Sequence, residues 1–537
     1  MFGEVGKLLK GITMGKKLKS LAMSVVLGVA LAVVVNSADA ANKFRFGLTG
    51  DAISLDPHRR LAAVEAIFLR MAYEGLTTMD KNQEPIPALA ESWQHPEPNR
   101  WLFKLRKNVK FHGGETFDAE DVVFTLNRAG EKASGYKIFV RSFKSVKAID
   151  SHNVEILTKR PDALLLNNLA SVFIMDSEWS KKHGVEHALS PRNPKKVYSD
   201  SAMNGTGPFR LKSRKPDVKT EYVRNGNWWG WNSFPGNLGA IVIRPIGNAA
   251  TRVATLLAGD LDLLTEIPVQ DIKQVKSDKR FTVKSTAHIR TIFLSFNTRA
   301  EELATSNVQG KNPFRDIKVR QAVNVAINSD LIKKKIMRNL SIPTATLVPP
   351  GLAGYSDKLA KRAETNSDLA RKLLTSAGYP NGFSVRLDCP NNRYFNDEAI
   401  CQAVVSMLAR IGIKISLNAL PKDQWAPLVI RKKSDFYLAG FGTPTNDSLF
   451  MASHIFRGGP FHGGYKNAKI NQLLKSAAGE MNMSKRAGML ASVFEIAKNE
   501  SAIAPIHYQV INWAVAKNVQ INVDPNNIPD FRYIVVR

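Results

Sequence analysis

The stretch Tyr73–Ala129, YEGLTTMDKNQEPIPALAESWQHPEPNRWLFKLRKNVKFHGGETFDAEDVVFTLNRA, passes from strand periodicity to helix periodicity across one turn. Trp101, Phe103 and Leu105 fall at every second position, which predicts a strand with one buried face. The pair Gly113-Gly114 closes it with a turn. Asp118 then stands as an N-cap with Asp121 three residues on, a capping pair ahead of an apolar helical face.

The same reading extends in both directions. Upstream, Phe44, Phe46 and Leu48 alternate in NKFRFGLTGDAISLDPH, a strand that ends at the SLDPH turn, and AVEAIFLRMAYEGLTTM has helical spacing through Ala66, Leu69 and Met71. Downstream, GPFRLK, TEYVRNG and AIVIRPI read as short strands between Asn/Gly turns. SDLARKLLTSAGYPNG predicts a helix capped at Ser367/Asp368 and stopped by Gly378, and EAICQAVVSMLARIGIKISL a helix passing through Gly412 into a strand. No fixed repeat and no steady βαβ rhythm is present. Mixed elements of this kind suggest α/β domains assembled from non-contiguous segments, and 537 residues can bury more than one core.

The first forty residues give an expected location. Lys7, Lys10, Lys16, Lys17 and Lys19 precede the uncharged run Leu21–Val35, which ends in NSADA. A basic start, a short apolar run and an A-x-A end form a secretory signal peptide, with cleavage expected after Ala40. The run falls short of the ~20 residues that span a bilayer. Met14, just ahead of the lysine cluster, is an alternative start to Met1. With no cysteine near the cleavage site to carry a lipid, the expectation is a free periplasmic protein rather than a lipoprotein. The chain holds two cysteines, Cys389 and Cys401. Export into an oxidising compartment favours a disulfide over two buried thiols, and so short a loop closed by a bridge gains about 3 kcal/mol.

The formal charge is +28, from 75 basic and 47 acidic residues. These are scattered, without an arginine-rich tail or zinc-finger spacing, which argues against nucleic acid and for a solvated basic surface that attracts anionic ligands.

The stretch Tyr73–Ala129, followed in order by NGTGPFRL, PFRDIKVRQAVNVAINSDLI, ATLVPPGLAGY and ARKLLTSAGYPNGF, closely resembles the signature segments of the family 5 solute-binding proteins. These serve ABC importers of dipeptides, oligopeptides, nickel and related solutes, and the resemblance covers nearly the whole mature chain. It implies an α/β, two-lobed periplasmic-binding-protein clamp of the large, three-domain type II variety, with discontinuous domains. Lobe I would comprise residues 41–73, 205–285 and 506–537, the inserted domain 74–204, and lobe II 286–505. It further implies a monomer that is not an enzyme and needs no cofactor. Such a protein would capture a peptide-like or other small, carboxylated solute between lobes and deliver it to an inner-membrane ABC permease complex.

In the peptide-binding branch, an Arg near the start of a long helix takes the peptide carboxylate and an Asp in a Gly-rich loop takes the α-amino group. The resemblance places Arg393 of PNNRYFNDEA in the first role, where a guanidinium fork suits a planar carboxylate. The alternative is a surface Arg paired with Asp397 or Glu398. At the second position the chain departs from the pattern. In GFGTPTNDS, Gly440–Ser448, Pro444 stands where the acid is expected and Phe441 replaces a Trp. Asp447 follows three residues later, to take over that role only in a rearranged loop, or to N-cap SLFMASHIF. Gly440, Gly442, Thr443 and Thr445 still offer close backbone approach and hydroxyl groups. Tyr394, Phe395 and Trp425 are candidates to stack on a solute, and Ser54 and Leu55 match the lobe I loop that faces the cleft.

Two rival readings arise. HGVEH, His183–His187, matches the spacing of a zinc hydrolase that would use His183, Glu186 and His187. Gly184 and Pro191 argue instead for a helix SEWSKKHG that ends there, with Lys181, Lys182 and His183 at its C-terminus. The ten histidines include no tight cluster, since His454 and His462 lie eight apart. This leaves a chelated metal or haem, held through its organic part, as the nearer rival to a peptide-like solute.

Overall fold

In a computed structural model of the chain, residues 42–80, 83–443 and 447–537 are described. The expected signal peptide and its cleavage after Ala40 lie outside these residues. Among the described residues, no helix is long and apolar enough to cross a membrane.

One mixed sheet of eleven described strands runs through the molecule. From one edge, its path is Ile413–Leu420, Phe383–Pro390, Phe436–Phe441, Phe281–Phe296, Ala504–Ala516, Leu263–Leu264, Lys43–Leu48, Ala240–Pro245, Lys219–Arg224 and Phe209–Lys215. The short strand Ser341–Pro343 pairs beside Ala504–Ala516. The N-terminal strand lies parallel between Ala240–Pro245 and Leu263–Leu264, a position far from its sequence neighbours that makes this half discontinuous.

Two strands carry the sheet from one half to the other. Phe281–Phe296 and Ala504–Ala516 are antiparallel, in register from Phe281–Ala516 to Ala287–Val510. The ladder breaks over His288–Arg290 and resumes at Thr291–Tyr508. On one side of the break, Val515 and Ala514 pair with Leu263–Leu264; on the other, Thr291–Phe296 pair with Phe436–Phe441. The expected domain limits, 285/286 and 505/506, fall inside these two strands. Ile506 packs in the same core as Ile292 and Leu294, on the far side of the break.

Side-chain alternation explains why the second half is layered. Ile292, Leu294 and Phe296 enter one core with Phe436 and Leu438, while Phe293, Tyr437 and Ala439 enter another on the opposite face. A period of two therefore feeds two cores, and helices cover both faces of the sheet. In the first half, Phe44, Phe46, Leu263, Trp513 and Val515 share one core, and Leu264 and Ala514 another.

The inserted segment has its own antiparallel sheet, ordered Ala90–Glu97, Arg100–Leu105, Asn153–Thr158, Phe143–Asp150. Trp101, Phe103 and Leu105 are buried and Lys104 is exposed, so the predicted strand has its apolar face inward. The helix Ala119–Gly130 covers that face, and Asp118 and Asp121 form the reciprocal capping box that the spacing predicts. The helix Ser367–Ser376 departs from expectation at its start. Its cap is Asn366, whose side chain accepts from the Leu369 amide, so Ser367 is already the first helical residue and Gly378 follows the end with φ +86. The inserted segment also touches the second half: Leu164 enters the core of Trp425 and Leu449, and the Ala163 amide donates to the Ala478 carbonyl.

Candidate functional site

The break in the long ladder lies beside the loop that carries Arg393. That loop leaves the strand Phe383–Pro390 and enters the helix Asp397–Ala409. Asp397 holds its shape: one carboxylate oxygen accepts from the Arg393 and Tyr394 amides at 2.8 and 2.9 Å. Asn396 turns the chain in the left-handed region, φ 52, and its amide donates to the Ile336 carbonyl. Cys389 and Cys401 form a disulfide that ties the strand's end to the helix, with Cα atoms 6.5 Å apart. Loop and helix start are thus pinned from three sides, which lowers the entropy cost of fixing a side chain there.

Arg393 is exposed, and its guanidinium carbon lies 5.4 Å from the centre of the Tyr394 ring. Its side chain forms no ion pair among the described residues; Asp397 meets only its backbone amide. Tyr394 is buried, and its hydroxyl donates to the Gly440 carbonyl at 3.1 Å. A Cβ on Gly440 would lie 2.7 Å from the Tyr394 ring and 2.6 Å from Ile292. Gly440 therefore makes room for Tyr394 rather than for a ligand. Behind Tyr394 an aromatic run continues: Trp425 meets it edge-on at 6.2 Å and stacks on Phe461 at 5.9 Å. Phe461 meets Phe441, which stacks on Phe450 and His454.

Several expected contacts lie elsewhere. Trp425 is buried and meets Tyr394 from behind. Phe395 is half-buried against the core of the second half. Ser54 and Leu55 point inward: the Ser54 hydroxyl accepts from the Asp56 amide, and Leu55 belongs to the core. The cause is Asp56 itself, held by the buried Arg128 guanidinium at 2.6 Å and by Ser199. Burial alone would raise its carboxyl, yet Arg128 outweighs this and holds it at about 2. The side chain that this turn exposes is Ile53.

In the Gly-rich loop, Asp447 caps the helix Ser448–Ser453 through the Leu449 amide and pairs with Arg486, both side chains being buried. This carboxylate is already paired inside the fold. Gly442 lies against the Ile289 backbone and Thr443 is buried; Pro444 and Thr445 lie outside the described residues.

The zinc spacing does not assemble. The helix Ser177–Lys182 ends before it, and Gly184 has φ +62. His183 stacks on Tyr198 at 4.0 Å, whereas His187 bonds Glu131. Among the described residues, no group of three His, Cys, Asp or Glu could hold a metal ion. His454 and His462 both bond backbone carbonyls.

Sequence reading missed Arg290. It lies in the ladder break, half-buried, donating to Gln509 at 3.3 Å, with its guanidinium carbon 6.0 Å from the Tyr394 ring. Burial lowers its pKa, and Arg393 lowers it further. Next to it, His288 is buried and kept neutral by burial, then by Arg290 and Arg393. The available signal was one cation interrupting the apolar run HIRTIFLSF. The neighbouring Ile289 amide donates to Pro525, and that residue lines a cavity of about 210 Å³ beneath the C-terminal segment Ile521–Tyr533.

Comparison with known proteins gives this arrangement a context. The profile of the bacterial extracellular solute-binding proteins, family 5 (middle), matches residues 84–463. The chain is 28% identical to heme-binding protein A of Haemophilus influenzae over 479 residues, 82% of each chain. It is 25% identical to the glutathione-binding protein GsiB of Escherichia coli K12 over 512 residues, 92% of this chain and 94% of that one. The solved structure of AgaA from A. tumefaciens R10, in complex with agropinic acid, superposes with a TM-score of 0.75 at 22% identity. It covers 92% of this chain and 99% of AgaA.

Proposed function

The chain belongs to the bacterial extracellular solute-binding proteins of family 5, and from that premise we propose that it captures a small carboxylated solute at the junction of its lobes. Its role is that of a solute-binding protein of an ABC importer, and its relatives are binding proteins rather than enzymes. They bind chemically different solutes, so the solute class has to come from this chain's own side chains.

The observation that carries the reading is Arg393. An exposed guanidinium without an ion pair sits beside an aromatic ring, on a loop fixed by Asp397 and the Cys389–Cys401 bridge. A carboxylate would meet two parallel N–H donors there, with Tyr394 as a wall. The Gly-rich loop offers no matching anchor for a free α-amine, because its described acid, Asp447, is engaged by Arg486. This supports a carboxylated solute lacking a free α-amine, such as a modified peptide, an opine or a sugar acid, over a plain dipeptide. We assign lobe I to residues 41–73, 205–285 and 506–537, the insert to 74–204 and lobe II to 286–505, with the two long strands crossing between the lobes so that Ile506–Tyr508 pack on the lobe II side. Residues 1–40 are read as the export signal, and the mature protein as a periplasmic monomer that hands its solute to an inner-membrane permease.

The test is calorimetry with the solute retained on purification, identified by mass spectrometry. Arg393→Ala weakens its binding at least tenfold; unchanged affinity removes Arg393 from the site. Haem is the second reading, favoured by the identity to heme-binding protein A and by the aromatic run behind Tyr394. Titration with hemin decides it, since a saturable Soret shift supports haem and its absence excludes it.

A further inference from the structure

We infer that Arg290 is a second cation of the solute site, so that the solute presents two negative charges, as two carboxylates or one phosphate, to Arg290 and Arg393 across the Tyr394 ring. This rests on the reading of the lobe junction as the solute site. It names a residue and a charge class that the family membership leaves open.

Three observations carry it. First, two guanidiniums approach one ring, at 6.0 and 5.4 Å, and neither forms an ion pair among the described residues. The positive charge of Arg393 acts unfavourably on Arg290, and an anion held by both would turn that repulsion into two attractions. Glu266 is the carboxylate that acts on Arg290. Its carboxylate accepts from the Asn527 amide and makes no ion pair with Arg290.

Second, Arg290 lies where the ladder of the long strands breaks, between Ala287 and Thr291. Such irregularities re-aim side chains, and this one directs a cation from a buried strand toward the junction. Among the described residues its one side-chain bond, to Gln509, leaves most of its five donors unused. Third, His288 in the same break is about nine-tenths buried or more, and its Nδ1 has no hydrogen-bond partner. A buried polar atom left unpaired costs about 1–3 kcal/mol, which a bound anion or its water would recover.

Matched probes test this on the full mature protein. Calorimetry compares N-acetylglutamate with N-acetylglutamine, and glucose 6-phosphate with glucose, so that each pair differs in one anionic group. The doubly charged member of at least one pair binds at least tenfold tighter than its partner. The first pair responding points to dicarboxylates, and the second to phosphates. Arg290→Gln abolishes that preference and leaves the less charged partner unchanged, while Arg290→Lys keeps part of it; circular dichroism checks that both variants are folded. Equal affinity within both pairs, no binding by either doubly charged probe, or a preference that survives Arg290→Gln overturns the inference. Binding of the probes that survives Arg393→Gln instead contradicts the reading of the junction as the solute site.

Discussion

At the residue scale, Gly440 shows how a sequence candidate changes role once its neighbours are known. The loop composition suggested backbone open to a ligand, but the room that this glycine leaves is filled by the Tyr394 ring. Gly440→Ala forces a methyl into that contact, and overpacking of this kind costs about 1–3 kcal/mol. The expected outcome is a lower melting temperature together with weaker solute binding, because Tyr394 is displaced; full binding at wild-type stability would contradict it. Glu74 makes a pH-dependent counterpart. It is buried, accepts from Thr206 at 2.9 Å and Trp229 at 3.2 Å, and burial pushes its carboxyl up to about 7. A raised folded value favours the protonated form. The contribution is therefore fully present below pH 4.5 and lost as pH rises through about 7, on the order of 3 kcal/mol in all. Between pH 5 and 8 the wild type loses melting temperature relative to Glu74→Gln. Parallel profiles of the two proteins would show that Glu74 is ionised throughout.

At the scale of elements, periodicity read well where packing follows local pattern. The strand through Trp101, Phe103 and Leu105, the Asp118–Asp121 box and the helix that stops ahead of Gly184, at Lys182, are all present. Where one of several neighbouring polar residues had to be chosen, pattern was weaker: Asn366, not Ser367 or Asp368, caps its helix. The loop of Arg393 ahead of its helix was legible from its motif, whereas the ladder break that holds Arg290 was not. A break in a ladder depends on a partner strand more than two hundred residues away in sequence (see the pairing of Thr291 with Tyr508). Ser54 and Leu55 failed for a related reason, since the Arg128 that pulls Asp56 and its turn inward comes from the inserted segment. The bridge between Cys389 and Cys401 links strand end to helix directly behind Arg393. Removing it with Cys389→Ser/Cys401→Ser loosens that loop, costing about 3 kcal/mol of stability and several-fold in solute affinity. Wild-type affinity in the unbridged protein would mean that Asp397 and Asn396 suffice to hold the loop.

For the whole molecule, the two long strands are the only β-ladder, among the described residues, that continues from one half of the main sheet to the other. The break at His288–Arg290 divides that ladder, and Arg290, Arg393 and Tyr394 gather beside it. A clamp built this way binds by shifting the balance between arrangements of its halves, so contacts made at the junction weigh on the entire molecule. The contact of Leu164 and Ala163 with the second half ties the inserted segment to it as well. The measurement that bears most directly on this account is native mass spectrometry of freshly purified wild-type protein beside Arg393→Ala. The account predicts an added mass on the wild type, identified on release as a carboxylated solute, and its loss from the variant. A retained solute without an acidic group, or one that both proteins hold equally, would contradict it.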